Sequence, residues 1–171
     1  MNDVIIQLVK GNPANLVDRV IMDVTGSPYS HTRIYFPVGP GFTCESTVWG
    51  LRSGMRMSMW EMPCDVRLRF KEPWTYGEIL AALDKAIDME NSRAWYNFAL
   101  TVFDIVLYPT RWIWKRIYAR TGWAPFTSAR TNCSEAVDLL SAVHVDLWPG
   151  MPASLTVPGD YVSCDALEVV T

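Results

Sequence analysis

Residues 30–51 narrow the fold more than any other stretch. "SHTRIYF" (30–36) and "FTCESTVWGL" (42–51) are β-rich runs, and "PVGPG" (37–41) stands between them. Pro and Gly interrupt a strand ladder and favour a tight reversal, so the pattern predicts a hairpin turning about residue 39. In that register His31 lies near residue 47 and diagonal to Glu45. Side chains two apart on a strand share a face. An imidazole and a carboxylate therefore fall on one side of the sheet.

Around this hairpin the other elements are legible from their periodicity. "DVIIQLV" (3–9) is apolar and β-branched, which predicts a buried strand. Residues 13–26 carry apolar positions at 16, 17, 20, 21 and 24, with Pro13 near the start and Gly26 as a stop, which predicts a helix. "MRMSMWEM" (55–62) and "DVRLRF" (65–70) alternate at period two and predict further antiparallel strands. Residues 75–91 and 134–144 predict amphipathic helices, and 95–108 reads as a buried helix or a long apolar loop. The tail predicts a turn and one short segment. The whole, 1–171, is expected to form one α+β domain, with an antiparallel sheet flanked by helices.

Composition excludes several classes. Half of the 171 residues are hydrophobic and 19% are charged, enough for one globular domain with a real core. A net charge of −3 does not favour nucleic acid. Eight Trp and seven Tyr lean towards an apolar binding surface. The start "MNDVIIQLVKGNP" has no cationic segment and no window of about 18 apolar residues follows, so neither a secretory signal nor a membrane span is expected. That predicts a cytoplasmic protein, with any access to the cell envelope by another route. Cys44, Cys64, Cys133 and Cys164 form no CxxC pair, and there are two histidines. Neither a metal site nor a disulfide framework is expected, and no cofactor.

Chemistry concentrates at "ARTNCSEAVDLL" (129–140), where Cys133 opens a helical pattern. A helix N-terminus lowers a thiol's pKa, and its unpaired N–H groups can hold an oxyanion. The alternative is a small buried side chain, the usual fate of a cysteine. A nucleophilic cysteine needs an imidazole and a third group to orient it. His31 with Glu45 supplies such a pair; His144 lies near a helix end.

The order "DVIIQ", "YSHTRIYF", "CESTVWGL", "SRAWYN", "NCSEAVDLL", "VPGDYV" resembles the circularly permuted NlpC-like papain-fold cysteine peptidases and amidases, the YiiX/YaeF-like group. In that family a strand reading roughly "SHVGIY" supplies the histidine, the next strand a glutamate, and a "YCSEL"-like segment the nucleophile. The resemblance spans nearly the whole chain. It implies a permuted papain-like fold with Cys133 as nucleophile, His31 as base and Glu45 as orienting acid. It implies Asn132 and Tyr96 beside the substrate, although Tyr96 also reads as a core aromatic. The implied substrate is a peptidoglycan-like peptide or an amide-linked amino acid, in a phage or bacterial setting. The chain departs from the family in Asn132, where an aromatic residue is common, in Asn97, where Asp is common, and in a long aromatic-rich insert around 98–126.

Two other readings stand beside this one. A lipid-directed thiol acyltransferase or lipase of the same fold would use the insert to grip an acyl chain. A non-catalytic binding or structural protein would keep only the fold. "RWIWKRIYAR" (111–120) bears on the first: Arg111, Trp112, Trp114 and Lys115 form either a peripheral membrane contact or a helix with snorkelling cations over packed aromatics.

Overall fold

A computed structural model describes residues 3–49, 52–91, 110–122, 132–151, 153 and 156–170. Six strands form one antiparallel sheet: β1 (Ile5–Lys10), β2 (Tyr29–Phe36), β3 (Phe42–Trp49), β4 (Arg52–Ser58), β5 (Val66–Phe70) and β6 (Leu167–Val169). Their order across the sheet is β4-β3-β2-β1-β5-β6. The described helices are α1 (Leu16–Thr25), α2 (Tyr76–Asn91), α3 (Arg111–Thr121) and α4 (Cys133–Ser141), with a short 3-10 helix at Pro158–Ser163. The architecture is mixed α+β.

The central position of β1 explains its continuous apolar run. It pairs with β2 on one side and β5 on the other, and Ile5, Ile6, Gln7 and Leu8 are all buried. A strand covered on both faces does not need to alternate. One face of the sheet carries Ile6, Leu8, Ile34, Phe36, Cys44, Leu68 and Phe70 into the core. Ile79, Ala82, Leu83 and Ala86 of α2 and Ala136, Val137 and Leu140 of α4 join them there. Truncating a fully buried side chain such as Leu140 to Ala would cost about 2–5 kcal/mol.

Local sequence sets the helix ends. Asn15 caps α1 by accepting from Val17 N at 2.9 Å, and Gly26 closes it in the left-handed region at φ 64°. The period-two pattern of 55–62 overruns the strand it implied. β4 ends at Ser58, and Met59 and Trp60 are exposed. Alternation persists past a strand's end when the chain turns outward, and here Thr43 Oγ1 holds the turn by donating to Trp60 O at 2.7 Å.

The β2–β3 register decides which side chains can meet at the open end of the hairpin. Ile34 faces Cys44, Tyr35 faces Thr43 and Phe36 faces Phe42. That is a turn centred on Gly39, which has φ 59°. The pairing stops at Ile34 and Cys44, while β2 stays paired to β1 as far as Tyr29 and β3 to β4 as far as Trp49. Beyond that point the two strands are no longer hydrogen-bonded to each other, and α4 packs against both. Among the described residues no helix is long and apolar enough to cross a membrane.

Candidate active site

α4 begins at Cys133 because Asn132 caps it. Asn132 is extended (φ −84°, ψ 178°), and its side-chain oxygen accepts from Glu135 N at 2.7 Å. The N–H groups of Cys133 and Ser134, the first two helical residues, have no partner within the helix. The cap therefore leaves two aligned donors beside the thiol. Asn132 is buried, and its side-chain oxygen is taken up by the cap that sets the helix start at Cys133.

His31 sits between Cys133 and Glu45. Its Nε2 lies 2.8 Å from Glu45 Oε2, and its ring also hydrogen-bonds the Cys133 thiol. An imidazole has two nitrogens, so with Nε2 on the carboxylate the thiol is met by Nδ1. Cys133 is 6% exposed, while the His31 side chain is 23% exposed and gives the group its contact with solvent. The Thr32 backbone and Ser134 also favour the Cys133 thiolate.

The electrostatics follow from these contacts. Burial alone would lower the His31 pKa, but its hydrogen bonds to Cys133 and Glu45 and their charges raise it to about 9. Burial would raise the Cys133 thiol, yet the His31 hydrogen bond and charge, the Thr32 N–H and Ser134 bring it below its ordinary value. Glu45 is likewise held below the usual carboxylate range against its own burial, first by His31 and then by Arg33 and Arg56. The arrangement favours a thiolate–imidazolium pair with an ionised carboxylate behind it.

A second buried network lies one helical turn further along α4. Tyr161 Oη reaches Asp138 Oδ1 at 2.6 Å and the Ser134 carbonyl at 2.8 Å. Thr156 Oγ1 reaches Asp138 Oδ2 at 2.5 Å and Ala153 O at 2.7 Å. This ties the closing "TVPGDYV" segment to the helix that carries Cys133. Burial pushes Asp138 up to about 7, against the hydrogen bonds from Thr156 and Tyr161.

The other candidates are placed elsewhere. His144 stacks on Trp74 with ring centroids 4.8 Å apart, and its nitrogens lie 3.2 Å from Glu78 Oε1 and from Glu72 O. Cys44 and Cys164 are buried, and burial pushes Cys44 up to about 12. Trp112 on α3 is 57% exposed, with the Arg116 guanidinium 5.7 Å from its ring. Tyr96, the side chains of Arg111 and Lys115, and residues 98–109 and 123–126 of the insert lie outside the described residues. No group of three or more His, Cys, Asp and Glu among the described residues is placed to hold a metal ion.

Sequence reasoning passed over Arg33, Thr32, Ser134, Asp138 and Tyr161. For Arg33 a signal was present: it stands two residues after His31 and so on the same face of β2. Compared with protein-family models and with curated protein sequences, the chain matches none.

Proposed function

We propose that the protein is a cysteine hydrolase of amide bonds, built on a permuted papain-like fold. The observation that carries the reading is His31, bonded on one side to a thiol at a helix N-terminus and on the other to a buried carboxylate. In chain order the base and acid precede the nucleophile, as the resemblance implies.

The contacts give each group its role. The Cys133 thiolate attacks the amide carbonyl carbon and forms a C–S bond. The Cys133 and Ser134 N–H groups receive the oxyanion. The His31 imidazolium gives its proton to the leaving nitrogen as the C–N bond breaks, leaving a thioester on Cys133. Water then attacks the thioester, His31 takes a proton from it, and the thiolate departs. Glu45 accepts from His31 Nε2–H throughout and keeps Nδ1 towards the reaction. The substrate class proposed first is a peptidoglycan-like peptide or an amide-linked amino acid. Incubation with peptidoglycan peptides should release free amine with wild type and none with Cys133→Ala. No release, together with no labelling of Cys133 by an electrophilic peptide probe, would sink the reading.

The exposed Trp112 and Ile113 on the cationic helix α3 favour a second reading, acyl transfer to or from a lipid by the same thiol. Cys133-dependent transfer of a radiolabelled acyl chain from phospholipid vesicles, without amine release from peptides, would select it.

A further inference from the structure

We propose that Arg33 is a positioning residue, the standing counter-ion that keeps Glu45 ionised while His31 passes from imidazolium to imidazole and back. The inference rests on the hydrolase reading and concerns the same site.

The geometry is specific. Continuing the register of Ile34 with Cys44 puts Arg33 directly opposite Glu45 and His31 on its diagonal. Arg33 Nε lies 3.4 Å from Glu45 Oε2, the oxygen that His31 Nε2 also meets. The Arg33 side chain is buried. Its Nη2 donates to Pro63 O at 3.3 Å, while Nε and Nη1 make no well-aligned hydrogen bond. Arg33 therefore acts on Glu45 as a charge rather than as a hydrogen-bonding fork. A guanidinium is not deprotonated in proteins, so that charge is permanent. The charged groups facing Glu45 are His31 and Arg33 from β2 and the exposed Arg56 from β4, with the Cys133 thiol of α4 beyond His31.

The need for a second cation arises within the reaction. While His31 is imidazolium, Glu45 has a counter-ion. Once His31 has protonated the leaving amine, the ring is neutral and Glu45 becomes a buried carboxylate without one. Such a group escapes its desolvation cost by taking a proton. A protonated Glu45 would donate to His31 Nε2 and drive the ring proton to Nδ1. Nδ1 must be bare at that moment to accept the proton of water. The Arg33 charge removes the incentive to protonate, so the ring keeps the productive tautomer. The segment "SHTRIYF" carries this arginine where the resembled family pattern "SHVGIY" has glycine.

The test is infrared titration of the Glu45 carboxyl group, assigned as the protonated C=O band lost on Glu45→Gln. His31→Gln supplies a neutral side chain in place of the imidazole. At pH 7 the His31→Gln protein should show no such band. His31→Gln with Arg33→Met should show it, and His31→Gln with Arg33→Lys should again lack it. Absence of the band in the Arg33→Met combination would overturn the proposal. If that combination does not fold, the same band is read in His31→Gln with Arg33→Gln, with the same two outcomes. In turnover, Arg33→Met should lower kcat with little change in KM, and Arg33→Lys should restore it; equal loss with both variants would overturn the charge role. Failure of the hydrolase reading shows separately, as slow alkylation of Cys133 in wild type, and does not alter the infrared result.

Discussion

His31 Nε2 and Glu45 Oε2 meet at 2.8 Å across strands that have just stopped pairing. The contact needs both the hairpin and its opening. The paired part sets the diagonal between the two residues. Past the paired part, the helix that carries Cys133 packs against both strands, which brings the thiol to the His31 ring.

Reactivity should separate the cysteines. Cys133 is expected to react with iodoacetamide well below pH 8, while Cys44, pushed up to about 12, stays silent in the native state. His31→Ala should move the Cys133 alkylation profile to higher pH, and Glu45→Ala should move it the same way by less. Mass mapping of each cysteine against pH checks this. Equal rates at all four, unchanged by His31→Ala, would refute activation of Cys133.

The raised His31 pKa is also a stability statement. A group whose folded pKa lies above its unfolded value stabilises most at low pH. The contribution is full below about 6.5 and is lost as pH rises through about 9. Denaturant midpoints of wild type and His31→Gln should therefore converge over that window. A constant difference from pH 6 to pH 10 would contradict it.

Asp138 acts in the same direction as His31, the reverse of a carboxyl group whose folded pKa is lowered. Its folded pKa of about 7 exceeds its ordinary 3.8, so the folded state binds the proton more tightly. Its contribution to stability should fall as pH rises from about 4 to 7, and Asp138→Asn should abolish that slope. Tyr161→Phe should cost about 1–3 kcal/mol, because Asp138 and the Ser134 carbonyl lose a shared buried donor. Urea titrations at several pH values read both effects.

Asn132→Ala removes the cap of α4 and should cost about 1 kcal/mol. It should also slow Cys133 alkylation at neutral pH, since the helix start that favours thiolate frays. Asn132→Asp keeps an acceptor for Glu135 N and should retain the fold. Equal alkylation rates in Asn132→Ala and wild type would mean that the cap does not place the thiol.

Glu45→Ala strands the Arg33 charge in a buried site. Breaking a buried ion pair from one side costs about 3–5 kcal/mol, so this variant should lose far more stability than a substitution at exposed Arg56. Thermal melts of Glu45→Ala, Arg56→Ala and the Arg33→Met/Glu45→Ala double variant check it, with the double variant recovering part of the loss.

The parts legible in the sequence were those specified locally. A Pro-Gly turn about residue 39 set the register that brings His31 to Glu45. The helical pattern opening at Cys133 was legible from its apolar spacing, whereas the cap that Asn132 supplies emerged only in the structure. What escaped depended on burial and on distant partners. Arg33 reads as an ordinary outward strand cation until the fold covers it. Asp138 reads as a solvated helix acid until Tyr161 and Thr156, much later in the chain, close over it. The end of β4 escaped because alternation in "MRMSMWEM" continues through a turn held by Thr43, a residue of another strand.

The Asp138–Tyr161 bond also bears on when, in the proposed reading, Cys133 becomes reactive. His31 and Glu45 emerge from the ribosome early, Cys133 late, and the residues that brace α4 from behind later still. Loop closure over so long a span of chain is slow compared with forming the local hairpin. On that reading Cys133 is an ordinary unactivated thiol during synthesis, and alkylation below pH 8 should mark arrival at the completed fold. A cysteine activated in this way would be its own folding clock, readable by pulsed alkylation during refolding without any knowledge of the substrate.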